Sequence, residues 1–186
     1  MMSSAGKYYP LSYTNLSHHL KECSLYTAIF PEDFNIPVSK LVKLWIAEGF
    51  LNLVKSKSLE DIVYEYLLDL VDRSLILVGK QNSVGKIKIC KIHDLIRDFC
   101  TREAKKEMFF HISDRSLHDI PRGTSLRRLS IQPHRASVFA CDVQKLSSVI
   151  SIFSFGRCFY DSVRHLNPRP LRVFVMEKNT FLWYST

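Results

Sequence analysis

Glycine is scarce in this chain, six residues in 186, and none of it falls in a G-x-x-x-x-G-K-[ST] run. The Gly-Lys pairs at Gly6, Gly79 and Gly85 lack the preceding glycine and the following hydroxyl. A phosphate loop needs that pattern, because its backbone N–H groups cradle phosphates while lysine and Mg²⁺ neutralise them. The chain by itself is therefore expected to be no ATPase. Long apolar runs are missing too. No stretch of about 18 uninterrupted apolar residues is present, which excludes a membrane-spanning helix. The N-terminus MMSSAGKYYPLSY lacks the apolar core of a secretion signal. The five cysteines (Cys23, Cys90, Cys100, Cys141, Cys158) are odd in number and form no CxxC pair. That pattern predicts reduced thiols in an intracellular compartment rather than a disulfide framework, with the cytoplasm as the expected location.

What is present is a globular composition, 46% hydrophobic and 24% charged, with room for one large domain or two small ones. The net charge of +8 is unevenly placed. Residues 1–120 carry 16 Lys/Arg against 15 Asp/Glu, whereas residues 121–186 carry 10 against 3. The charge shift and the Pro/Gly punctuation at Ile120-Pro121-Arg122-Gly123 predict a domain boundary there.

The first part reads as helices and a hairpin. Leu16, Leu20 and Cys23 form a helical stripe that should end at Pro31. Val38, Leu41, Val42, Trp45 and Ile46 form the apolar face of a second helix, with Gly49 suited to its left-handed stop. Ser58-Leu59-Glu60-Asp61 resembles a capping box opening a third helix, which continues through Ile62, Val63, Tyr66, Leu67, Leu70 and Val71. The period then changes. LILVG (75–79) and the alternating KIKICKI (86–92) flank the turn-rich KQNSVG and predict a β-hairpin. DLIRDFCTREAKKE resumes a helix with Leu95, Ile96 and Phe99 on its apolar side. Three helices and a hairpin are the parts of a winged-helix domain.

Past the boundary, an L-x-x-L-x-L spacing recurs. Leu126, Leu129 and Ile131 give it; Val149, Ile152 and Ser154 give a degraded copy; Leu171, Phe174 and Met176 repeat it. The starts lie 23 and 22 residues apart, inside the period of leucine-rich repeats. Ordinary strands with chance spacing are the alternative. One such repeat cannot bury its own face, so an array ending here would leave an apolar edge, and the chain reads as part of something longer.

HLKECSLYTAIFPEDFNIPVSKLVKLWIAEGFL (19–51) resembles the winged-helix part of plant nucleotide-binding, leucine-rich-repeat (NB-ARC) disease resistance proteins. LEDIVYEYLLDLVDRSLI (59–76) is similar to the next helix and strand of that domain. KIHDLIRDFCTREA (91–104) is similar to the family's Met-His-Asp motif, with Ile92 in place of the methionine, and LRRLSI (126–131) resembles the entry to the repeats. The likeness leans to the coiled-coil, late-blight-resistance-like class. It implies an α+β chain: a winged-helix (ARC2) domain over 10–120, then the start of a leucine-rich-repeat solenoid over 121–186.

His93-Asp94 in KIHDLIRDF is the central candidate site. From residue chemistry alone, Asp94 could be the N-cap of the following helix and His93 the last residue of the hairpin. The resemblance implies a further role: His93 contacts the β-phosphate of ADP while Asp94 caps the helix and orients the histidine. ADP or ATP would bind only with a full-length parent, and no cofactor is expected for the isolated chain. The implied partners are the nucleotide-binding domain and remaining repeats of a parent receptor and, indirectly, a pathogen effector or guarded host protein in the defence response. No third group near His93-Asp94 completes a nucleophile–base set, so no catalytic residue is assigned. His18, His19 and Cys23 suggest a metal, but two ligands sharing a face do not make a zinc site, and none is assigned. FPED (30–33) is expected to end one helix and cap the next. Two rivals stay open. One is a winged-helix DNA-binding protein using Lys80, Lys86, Lys88 and Lys91, although the charge lies mostly in the other half. The other is a repeat-type interaction fragment presenting Arg127, Arg128, Arg135, Arg157, Arg164 and Arg169 to acidic surfaces.

Overall fold

A computed structural model of the chain describes residues 12–51, 57–113, 126–132, 148–155, 171–176 and 180–182. The chain divides into two compact units, Met1–Glu103 and Ala104–Thr186.

The first unit begins with α1 (His18–Thr27), which buries Leu20, Cys23 and Leu25 to Thr27. The chain turns through Ala28 to Phe30 before Pro31, and Asp33 takes a left-handed φ of 56°. A two-residue strand β1 (Ile36–Pro37) leads into α2 (Val38–Glu48). Gly49 ends α2 in the left-handed region, at φ 78°. Its N–H donates to Ile46 while that of Phe50 donates to Trp45, so two open helix carbonyls are satisfied at the stop. The buried face of α2 is Val38, Leu41, Leu44, Trp45 and Glu48. It is thus rotated from the expected face, with Val42 and Ile46 only partly covered. Glu48 is tolerated on it because the Tyr26 hydroxyl donates to its carboxylate at 3.2 Å.

Next comes α3 (Leu59–Asp72), capped as expected: the Ser58 hydroxyl accepts from the Asp61 N–H at 3.2 Å. The hairpin consists of β2 (Leu77–Gln81) and β3 (Ile87–Lys91). Its first strand starts two residues later than the sequence suggests. Leu75 and Ile76 instead direct their N–H groups to the Leu70 carbonyl, closing α3, and both side chains are buried. The tip is a tight turn in which Asn82 Oδ1 accepts from Val84 and Lys86, and Gly85 adopts φ 79°. Within β2 the pairing slips between Val78 and Lys80, around Gly79. A Cβ on Gly79 would lie 3.2 Å from the Ile89 side chain and carbonyl. Antiparallel pairing gives the order β1-β3-β2, and α4 (Asp94–Lys106) follows.

The core of this unit gathers Tyr26, Phe30, Ile36, Leu41, Leu44, Trp45, Leu67 and Leu70, all essentially inaccessible. Three described cysteines lie in it as free thiols. Burial raises Cys23 well above the ordinary thiol range and pushes Cys90 and Cys100 up to about 12, so all three stay protonated and unreactive. Cys141 and Cys158 lie outside the described residues. Among the described residues no helix is long and apolar enough to cross a membrane.

The second unit contains one sheet: β4 (His111–Ser113), β5 (Arg128–Ile131), β6 (Ser151–Ser154), β7 (Val173–Met176) and β8 (Thr180–Leu182), side by side in chain order. The first four run parallel and β8 is antiparallel to β7. Arg128 pairs with Ser151 and Ser151 with Val173, steps of 23 and 22 residues. Leu129, Ile152 and Phe174 therefore stand in one cross-strand row, the row that the sequence spacing picks out. Burial is not confined to that face. Ser130, Phe153 and Val175 on the alternate face are buried as well. The expected boundary at 120–123 lies outside the described residues, and His111–Ser113, upstream of it, already belongs to this sheet.

Candidate functional site: the start of the helix after the wing

β3 delivers the chain to His93 through Ile92, which is buried and anchors the strand end as the family's methionine position would. His93 and Asp94 are exposed. The helix begins at Asp94, which makes His93, and not Asp94, the N-cap. The His93 carbonyl accepts from the Ile96 and Arg97 N–H groups, each at 2.9 Å. Its Nδ1 accepts from the Leu95 N–H at 3.2 Å. The expected assignment of the cap to Asp94 is corrected accordingly. The helix starts one residue earlier than a cap at Asp94 requires, and the imidazole supplies the acceptor that a carboxylate commonly provides. Asp94 instead sits in the first turn, where the helix dipole favours a negative side chain.

This arrangement fixes the chemistry of the ring. A neutral imidazole has one donor and one acceptor nitrogen. With Nδ1 accepting from the backbone, the proton is on Nε2, which leaves a donor on an exposed side chain at the positive end of a helix.

One turn along, Arg97 is buried, and its Nε donates to the Phe30 carbonyl at 2.8 Å. Its Nη1 meets Glu32 Oε1 at 3.2 Å. The guanidinium thus ties the helix that carries His93 to the FPED segment. FPED does not cap the next helix: α2 opens at Pro37 without a side-chain cap, and β1 intervenes. Sequence reasoning missed Arg97. The available signal was a lone charge between Ile96 and Cys100, on what proves to be the buried face of α4. Leu95, expected on that face, is half exposed.

The other candidates separate. Cys23 is buried in the core, away from any ligand role with His19, whose ring stacks on Tyr66. Lys80, Lys86 and Lys88 of the wing are exposed, with Lys86 lying over the Tyr64 ring at 5.1 Å. Tyr64 also accepts the Ile87 N–H at 3.0 Å, pinning the wing to α3. In the α2–α3 pair, α3 occupies the place of a groove-reading helix. It carries Glu60, Asp61, Glu65, Asp69 and Asp72 and no Lys or Arg, the wrong sign for phosphate. Arg128, expected as a free surface charge, is buried with its guanidinium 4.3 Å above the Phe109 ring and Nη1 donating to the Phe109 carbonyl. Arg127 is exposed, and Arg135, Arg157, Arg164 and Arg169 lie outside the described residues.

A capped helix after a hairpin, joined to a preceding FPED loop, defines a winged-helix domain of a particular kind. Residues 29–100 match the family model described as the disease resistance protein winged helix domain. The chain belongs to the disease resistance protein family. It is 44% identical over 107 residues to late blight resistance protein homolog R1B-19 of Solanum demissum, covering 57% of this chain and 8% of that protein. Against disease resistance RPP13-like protein 3 of Arabidopsis thaliana it is 33% identical over 177 residues, covering 94% of this chain and 20% of the relative. Late blight resistance protein homolog R1B-12 of Solanum demissum is 46% identical over 99 residues, 53% of this chain and 7% of its own length. The chain spans a fifth or less of the length of these relatives.

Proposed function

We propose that this chain is the regulatory winged-helix segment of a plant immune receptor, in which His93 reads the phosphates of bound ADP. The observation that carries the reading is the cap: Nδ1 is engaged by Leu95, so the exposed Nε2–H is the donor left for an anion. Asp94 then acts through the helix start and not as the cap. Arg97 holds the helix against FPED, so the position of the ring follows the position of the whole domain. Loss of the β-phosphate contact would remove a differential interaction between two arrangements of the domain and so bias a two-state switch. The second unit extends the proposal to the entry of a leucine-rich-repeat solenoid, supported by parallel strands at steps of 23 and 22 residues. The nucleotide-binding domain and further repeats would be its partners, with effector recognition conveyed through the repeats. The chain itself would have no ATPase activity, and its place would be the cytoplasm. The five carboxylates of α3 weigh against the DNA-binding rival.

The test uses a full-length receptor carrying this segment. His93→Ala should release ADP from the purified protein and raise signalling without ligand, whereas His93→Gln, which keeps an N–H donor, should retain part of both. Unchanged nucleotide occupancy and unchanged signalling in His93→Ala would remove the reading.

A further inference from the structure

We propose that His18, His19 and Glu22, on the first turns of α1, form a surface site for a divalent transition-metal ion of the zinc or copper type. This inference is independent of the nucleotide reading. The pair sought in the sequence was His19 with Cys23; the fold buries Cys23 and leaves Glu22 as the third donor. One ligand atom from each of the three residues lies within 4.8 Å of the others. His18 Nδ1 and Glu22 Oε2 are 3.3 Å apart. That separation equals the edge of a ligand tetrahedron with bonds of about 2.0–2.1 Å, which is about 3.3–3.4 Å. The two therefore stand at bridging distance for one ion.

The geometry comes from the helix itself. Residues four apart stand nearly one above the other, and the neighbouring residue is a third of a turn round, so the three side chains line one rim. The His19 ring is held parallel to Tyr66 of α3, at 8° and 6.4 Å, and the His18 ring meets it edge-on at 6.2 Å. One ligand is thus oriented by tertiary packing. The second, His18, is exposed (81%), and Glu22 is partly covered (27%), so an ion has access from solvent. The ammonium of Lys21, the intervening cation, extends over the Tyr13 ring at 5.8 Å. Two imidazoles and a carboxylate suit zinc, copper or nickel and are poor for calcium or magnesium, which take oxygen sets. Three protein donors leave a position for water. An ion bridging His18 and His19 would tie the start of α1 to the ring already stacked on α3 and so stabilise that packing.

The test is titration of the tag-free 186-residue chain with Co²⁺, followed by displacement with Zn²⁺. One equivalent should bind with weak visible bands and no intense thiolate charge-transfer band in the near ultraviolet. The ring resonances of His18 and His19 should broaden first. His18→Ala and His19→Ala should each weaken binding at least about tenfold, with Glu22→Gln smaller in effect. Zn²⁺ should raise the melting temperature of the unsubstituted chain and not of the double histidine variant. A thiolate band at the first equivalent, or undiminished affinity in the double variant, would overturn the proposal.

Discussion

The two units of this chain are held together in different ways. In the first, single polar contacts close long stretches of chain. Arg97 reaches the Phe30 carbonyl across 67 residues, the Ser24 hydroxyl meets the Cys100 thiol across 76, and Cys90 donates to Ile36 across 54. In the second, each strand pairs with the next one along, and the described structure repeats the same step. A fold closed by long-range contacts should fail as a whole; a ladder of neighbours should fail by degrees, most strongly near the lesion.

The sharpest way to break that contrast is a matched pair of truncations. Trp45 is fully buried, and its Nε1 has no hydrogen-bond partner among the described residues, so its contribution is packing. Trp45→Ala should cost about 3–5 kcal/mol and remove hydrogen-exchange protection from α1, α2 and α3 together. Ile152→Ala, at the centre of the Leu129–Ile152–Phe174 row, should cost about 2–5 kcal/mol. Its loss of protection should be graded, greatest in β6 and its two neighbours and less in β4. Equal loss across all strands of the second unit would show that it is as cooperative as the first.

A smaller effect is expected at Arg97, and it separates two contacts of one side chain. Arg97→Met keeps the apolar stem and removes the bonds to Phe30 and Glu32. The cost should be about 1.5–3 kcal/mol, since a charge-assisted bond to a buried carbonyl is lost. Glu32→Gln should cost within about 1 kcal/mol, because the Glu32 side chain is 65% exposed and an ion pair there is screened. Denaturant titration of both variants checks this. Equal costs would mean that the ion pair, and not the carbonyl bond, fastens FPED.

Much of this architecture was legible in the sequence, for reasons that are local. Gly49 signalled a left-handed helix stop, Ser58 a cap and KQNSVG a turn, because each is decided within a few residues. The spacing of Leu129, Ile152 and Phe174 anticipated a register that the strands adopt. What escaped was decided by distance or by one residue of phase. No local pattern says that Arg97 will find a carbonyl 67 residues earlier. Nor could spacing choose between His93 and Asp94 as the cap, since both carry an acceptor and the two choices differ by a single residue in where the helix begins. A similar phase error put Val42 and Ile46, rather than Leu44 and Glu48, on the inner face of α2. The partner that matters to Glu48 is Tyr26, on another helix. In the candidate site the pair was found by motif, while the division of labour inside it needed the coordinates.

The smallest effect tests how far the first unit depends on its caps. The Ser58 hydroxyl accepts from the Asp61 N–H and donates to the Asp61 carboxylate at 2.6 Å. Ser58→Ala removes both and should cost about 1 kcal/mol, measured by thermal or denaturant unfolding. The order among replacements is more telling than the size. An asparagine side chain keeps an acceptor for the N–H and a donor for the carboxylate, so Ser58→Asn should lie close to the unsubstituted chain. Ser58→Asp keeps the acceptor but sets one carboxylate against another, so it should fall below the asparagine variant despite the preference for aspartate at helix starts. If the two variants prove equally stable, the bond to the Asp61 carboxylate contributes nothing, and the cap reduces to the single backbone contact. The strands β5, β6 and β7 owe their register to pairing with their neighbours, so this sensitivity to one hydroxyl should have no close counterpart in the second unit.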